Sequence, residues 1–393
     1  MKKLLMATAM TALMAGSAYA EEIKLGIILG FTGPIESITP AMGDGAELAM
    51  KEVSDSGKLL DGSTVVPVRA DLTCIDSAAA TAAAERLITS DGIKGIMGAD
   101  CSGVTGAILT NVAVANGVVM ISPSATSPGL STTEDKGLFF RTAPSDARQG
   151  QVMSDILMDQ GIKEVAVTYT NNDYGKGLAD AFQASYEAAG GKITIVAAHE
   201  DGKADYSAEV GALAAAGGQR LVVAGYVDQG GSGIVRAALD SGAFDTFHFP
   251  DGMIGSKLEE NFGGEIDGST GQHPGTDSPG VAKYAELAGD KFDPTGAFSP
   301  ESYDAAALIM LAMQAAGSTD PQVYKDKVMD VANAPGEKIY PGELAKALEL
   351  IAAGKDIDYV GASAVELIGP GESAGNYREI VFKDGKITTA KYR

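Results

Sequence analysis

Tryptophan is absent from this chain of 393 residues, histidine occurs three times and cysteine twice. Basic residues are scarce as well, 30 against 52 acids, giving a formal net charge of −22. No basic stripe and no set of stacking aromatics is visible, and so acidic a surface repels nucleic acid and anionic lipid. His199, His248 and His273 are scattered, and Cys74 stands far from Cys101, so nothing stands at zinc-ligand spacing. Beyond the first twenty residues no apolar run approaches 18 residues, the length a membrane span requires. No phosphate-binding G-x-x-x-x-G-K-[ST] loop occurs. Gly26–Gly33 is spaced G-x-x-x-G-x-x-G rather than as the dinucleotide fingerprint G-x-G-x-x-G.

One hydrolase signature is present: Gly371-Glu372-Ser373-Ala374-Gly375 fits G-x-S-x-G. That chemistry needs a strand before the serine, a helix after it and a histidine further along. Here Ile368-Gly369-Pro370 precedes it, strand-like Tyr377–Phe382 follows, and every histidine lies upstream. The segment reads as a turn. No enzyme and no cofactor is expected, and an exported hydrolase would rest on Ser373 alone.

What the chain does contain begins at its N-terminus. Lys2 and Lys3 precede the apolar run Leu4–Ala15, and Ala18-Tyr19-Ala20 supplies the small residues of a cleavage site. Residues 1–20 therefore read as a secretory signal, cleaved after Ala20, that sends the mature chain to the periplasm; the alternative is a buried N-terminal helix. In an exported protein the even pair Cys74 and Cys101 favours a disulfide over two buried thiols.

From Glu21 strands and helices alternate. Strands are predicted at Ile23–Leu29, Val65–Ala70, Gly95–Gly98 and Gly117–Ser122, with helices at Ala46–Val53, Ala78–Ile88 and Val104–Ala115 between them. The rhythm restarts with a helix at Asp146–Met158 capped by Ser145, then strands at Glu164–Tyr169, Lys192–Ala198, Arg220–Ala224 and Thr246–Pro250. One sheet of this length would be very wide, so the expected fold is α/β with two doubly wound parallel-sheet lobes joined by a hinge. Gly268–Pro279, rich in Gly, Ser, Thr and Pro, reads as a crossing between lobes, and Tyr377–Thr389 as a terminal hairpin. No internal sequence repeat is visible.

Ligands of open parallel sheets bind beyond the carboxyl ends of the strands. In the first half those ends carry Asp100-Cys101-Ser102 and Ser122-Pro123-Ser124-Ala125-Thr126, hydroxyls and amides that suit a carboxylate. In the second they carry Tyr174, Tyr226 and Asp251, which suit capping and an ammonium group. A zwitterion satisfies both.

The segments Met97–Ser102, Met120–Pro128 and Tyr174–Leu178 resemble the periplasmic leucine/isoleucine/valine-binding protein family, the type I periplasmic-binding-protein fold of ABC importers. The resemblance runs through essentially all of the mature chain. It implies that Ser102 and Thr126 hold the ligand's α-carboxylate, that the Ser124 carbonyl and Asp251 receive its ammonium, and that Tyr174 and Tyr226 close over it. Asp251 stands where the family usually has Glu, and Cys74 and Cys101 where its disulfide lies. The first lobe would comprise residues 21–142 with about 272–352, and the second 143–271 with about 353–393. The partners implied are a small amino-acid-like ligand and an inner-membrane permease, for a chain expected to be monomeric.

Two departures stand out. Ser37-Ile38-Thr39 occupies a loop where the family often has an aromatic residue, and Asp100 stands where leucine-binding members place an apolar one. Either Asp100 turns away to cap the helix beginning near Ser102, which is favoured, or the ligand carries a polar or cationic side chain. A receptor for an amide or an aromatic carboxylate is the alternative, although a neutral amide would leave the Asp251 charge without its partner.

Overall fold

A computed structural model describes residues 20–393, so the expected signal lies, Ala20 apart, outside the described residues. Five parallel strands build a first sheet: β1 (Glu22–Leu29), β2 (Thr64–Asp71), β3 (Ile96–Gly98), β4 (Met120–Ser122) and β5 (Phe139–Pro144). After Glu22, β1 is buried or nearly so along its length, as a strand covered by helices on both faces must be. A second sheet repeats the plan with β6 (Glu164–Thr170), β7 (Lys192–His199), β8 (Arg220–Ala224), β9 (Phe247–Phe249) and β10 (Thr270–Pro274). β11 (Glu337–Ile339) and β12 (Ile357–Tyr359) form a small ladder of their own. The short pair β13 (Leu367–Ile368) and β14 (Glu372–Ser373) extends the first sheet, and the hairpin β15 (Tyr377–Lys383) and β16 (Lys386–Tyr392) extends the second.

The strand orders are β13-β14-β5-β4-β3-β1-β2 and β16-β15-β10-β9-β8-β6-β7. One topology is thus built twice from unrelated sequence. In each sheet the winding direction reverses beside the first strand, between β1 and β3 and between β6 and β8. Such a switch point opens a crevice at the strand ends. The helix Ser299–Ala316, buried without a break from Glu301 to Met313, packs against the helix Thr39–Ser56 beside the first sheet.

Three expectations change. β5 was not foreseen, because Arg141 interrupts its apolar pattern; yet Arg141 is buried, its guanidinium held by two carbonyls, a hydroxyl and Glu372. Residues 270–274, read as part of a crossing, are instead the buried strand β10, whose polar side chains find partners: Thr270 with Arg220 and His248, Gln272 with Gln149. Residues 353–373, assigned to the second lobe, stay with the first through β12 and the β14–β5 pairing, and the chain returns at 374–376. Ser373 accordingly lies on a short strand rather than in a turn. Among the described residues no helix is long and apolar enough to cross a membrane.

Candidate functional site

At the first switch point, Asp100 ties the two strand ends together. Its Oδ2 accepts a hydrogen bond from Gly30 N (2.7 Å) and its Oδ1 one from Cys101 N (2.7 Å). The helix Ser102–Ile108 is capped at Cys101 without any side-chain bond, so the expectation that Asp100 caps it is overturned. The reason is register: β1 ends beside β3, which brings the buried amide of Gly30 onto the Asp100 carboxylate. Burial pushes the Asp100 carboxyl up to about 6 against the pull of those two amides. Cys101 is bonded to Cys74, fixing the loop after β2 onto the same corner.

The neighbouring loop is held from below. Ser122 Oγ accepts from Ala125 N (2.9 Å), Ser102 Oγ accepts from Ser127 N (3.1 Å), and Ser124 Oγ donates to Asp100 O (3.2 Å). Arg141 Nη1 donates to the carbonyls of Ala125 and Ser127, both at 2.9 Å. The Thr126 carbonyl accepts from Asp146 N (2.8 Å), while its buried hydroxyl has no hydrogen-bond partner of good geometry.

At the second switch point the rings of Tyr174 and Tyr226 stack, 5.2 Å apart and 16° from parallel. Tyr174 Oη donates to Asp251 Oδ1 (2.7 Å), which also accepts from Gly252 N (2.7 Å). Asp251 Oδ2 accepts from Gln149 Nε2 (2.8 Å), and the same nitrogen donates to Asp146 Oδ1 (2.7 Å). Gln149 Oε1 accepts from Asp251 N (3.2 Å) and Gln272 Nε2 (3.0 Å). Burial raises the carboxyls of both acids; for Asp146, which is raised well above the usual range, the charge of Asp251 adds to it.

The two corners face each other across a cavity of about 30 Å³. Its walls bring together six of the seven residues singled out from the sequence: Asp100, Ser102, Ser124, Tyr174, Tyr226 and Asp251. Thr126 is buried without lining it. Ile35, Ile38 and Phe298 complete the walls and were not foreseen as site residues. Ile35 carries no local signal, Ile38 stands in the Ser37–Thr39 stretch singled out only for lacking the family's aromatic residue, and Phe298 reaches the cleft from a position far along the chain, just before the helix Ser299–Ala316. Asp146 and Gln149 were missed too. Their one local signal is a polar pair spaced i, i+3 on the inward face of the helix Asp146–Asp159.

Two α/β lobes closed over a small pocket at paired switch points define a clamshell receptor. The chain belongs to the periplasmic binding protein family, whose model matches residues 22–334. It is 32% identical over 324 residues to Leu/Ile/Val-binding protein homolog 3 of Brucella melitensis, covering 80% of this chain and 84% of that one. The leucine-, isoleucine-, valine-, threonine- and alanine-binding protein of Pseudomonas aeruginosa is 28% identical over 326 residues, 82% of this chain and 86% of that protein. Among solved structures, the branched-chain amino acid transporter substrate-binding protein LivJ of Streptococcus pneumoniae, in complex with isoleucine, superposes with a TM-score of 0.77 at 21% identity, covering 94% and 98% of the two chains. The chain is thus a periplasmic binding protein rather than an enzyme.

Proposed function

We propose that this protein captures an amino acid with an aliphatic side chain in the periplasm and presents it to an inner-membrane ABC permease. The observation that carries the reading is the mixed lining of one cavity, which joins a buried carboxylate and hydroxyls to the apolar side chains of Ile35, Ile38 and Phe298. Asp251, buried and held by Tyr174, Gln149 and Gly252, is the ammonium's partner. Ser102, on the cavity wall, receives the carboxylate, with Thr126 behind it, and the Ser124 carbonyl accepts a second ammonium hydrogen. Ile35, Ile38 and Phe298 face the side chain. Asp100 lines the same wall, but both its oxygens already accept backbone amides. An aliphatic ligand therefore strands no unpaired carboxylate there. The names of the relatives and the isoleucine complex of the structural neighbour support this choice.

The cavity, about 30 Å³, holds no more than one or two waters. Entry of an amino acid therefore requires the lobes to part, and its contacts with both corners favour their reclosure. The mature chain begins at Glu21 and acts as a monomer. Calorimetry of refolded protein against the twenty amino acids, simple amides, polyamines and benzoate tests the proposal. Leucine, isoleucine or valine should bind most tightly; preference for benzoate or an amide over every amino acid would overturn it.

A further inference from the structure

The acids Asp146 and Asp251 are buried, at 0% and 1% exposure, and share one amide: Gln149 Nε2 gives one hydrogen bond to each. Its oxygen is committed to Asp251 N and Gln272 Nε2, so the amide cannot turn over without losing both. Two carboxylates thus stand either side of a single NH₂ group, away from water. Among the described residues no cation forms an ion pair with either. Arg141, from β5, pulls Asp146 down by its charge, but its hydrogen bonds go to Ala125, Ser127, Ser131 and Glu372. Arg148, on the same helix as Asp146, is half-buried and makes no hydrogen bond to either acid. The other groups facing the pair are the hydroxyls of Tyr174, Tyr226 and Tyr377, with Thr126 from the first lobe and the Asp100 carboxyl across the cleft. None supplies a positive charge.

Two adjacent buried carboxylates do not both ionise at little cost. Of their four oxygens, three already accept hydrogen bonds, from Gln149, Tyr174 and Gly252. Asp146 Oδ2 is the fourth and has no partner, so a proton there displaces nothing.

Building on the amino-acid reading, we infer that Asp146, acting through Gln149, makes Asp251 half of a carboxylate pair that holds one proton in the unliganded cleft and releases it to solvent when an ammonium group pairs with Asp251. The incoming positive charge replaces the proton as the neutralising partner. Asp146 is thus a positioning residue: it does not line the cavity, and it sets the charge that Asp251 presents. Burial already raises both acids, and the charge of Asp251 adds to the rise of Asp146, which agrees with the proton residing on Asp146. Affinity then falls as pH falls through the titration of the pair, by up to about tenfold in Kd per pH unit for a whole proton released.

The experiment is calorimetric titration of the full mature chain with L-leucine, repeated at one pH in buffers of different ionisation enthalpy and over pH 5–8. A dependence of the observed heat on buffer corresponding to proton release, lost in Asp146→Asn while leucine still binds, supports the inference. Proton release retained in Asp146→Asn, or no proton exchange by the wild-type chain anywhere in that range, overturns it. Should Asp146→Asn fail to fold, the wild-type buffer series decides alone, because an exchange of zero protons overturns the inference and release with weakening on acidification supports it. A chain that binds no amino acid overturns the functional reading and this inference together, whereas leucine binding without proton exchange overturns the inference only.

Discussion

Ser37 donates its backbone N–H to Asp228 Oδ2 at 2.8 Å, and Asp228 N donates to Pro34 O at 3.1 Å, joining the loop after β1 to the loop after β8. The first belongs to one lobe and the second to the other. A contact that bridges the two lobes favours their closed arrangement whatever the ligand is. Asp228→Ala should weaken every bound amino acid by a similar factor, about fivefold for one net hydrogen bond of about 1 kcal/mol. Stopped-flow dissociation rates across several ligands check this: a change in ligand ranking would show that Asp228 acts on the ligand instead.

Asp251→Asn removes the charge-assisted partner of the ammonium group from a buried site. It should weaken leucine binding by about 2–4 kcal/mol. Ser373→Ala, on the short strand β14, should leave affinity as it is. Calorimetry on both variants is the check, and a loss below about 0.5 kcal/mol for Asp251→Asn would mean that no ammonium sits there.

Asp100→Leu should not convert the site into a better leucine receptor. The substitution leaves the amides of Gly30 and Cys101 buried without acceptors, at a cost of about 1–3 kcal/mol each. Lower thermal stability with weaker binding of all amino acids is the expected result. Improved leucine affinity at unchanged stability would contradict the structural role assigned to its carboxylate.

Glu301 should make the protein more stable at pH 6.5 than at pH 8. Burial pushes Glu301 up to about 8 from an ordinary 4.5, so between those values the folded chain holds a proton that the unfolded chain has released. Its contribution is present below that range and is lost as pH rises towards 8. Relative to Glu301→Gln, the wild type should gain about 1–2 kcal/mol on going from pH 8 to 6.5. Denaturant titrations at pH 8 and 6.5 test this; a wild type that tracks Glu301→Gln between those values would exclude the buried acid as the source.

Periodicity and strand-end chemistry were legible where they depend on neighbours in sequence. The strand–helix rhythm places β1 to β4 and β6 to β9 almost where they stand, and the Ser145 cap holds, its Oγ accepting from Ala147 N. β5 and β10 were not, because Arg141, Thr270 and Gln272 are polar residues whose burial is made tolerable by partners far away in the chain. The same reasoning covers Asp100. Locally an aspartate before a helix reads as a cap, but its partner Gly30 lies 70 residues away.

The order of residues alone determined the alternation of elements, the restart that makes two lobes, and the residues carried at the end of each strand. These follow from side-chain spacing along the backbone, which is a local property. Tertiary structure alone decided that Gln149 couples Asp251 to Asp146, that Ile35, Ile38 and Phe298 close one wall, and that residues 353–373 stay with the first sheet. Those outcomes rest on hydrogen bonds and shared walls between segments far apart in the chain, such as the loop holding Ile35 and Ile38 and the residue Phe298, and no local pattern encodes which distant partner will arrive.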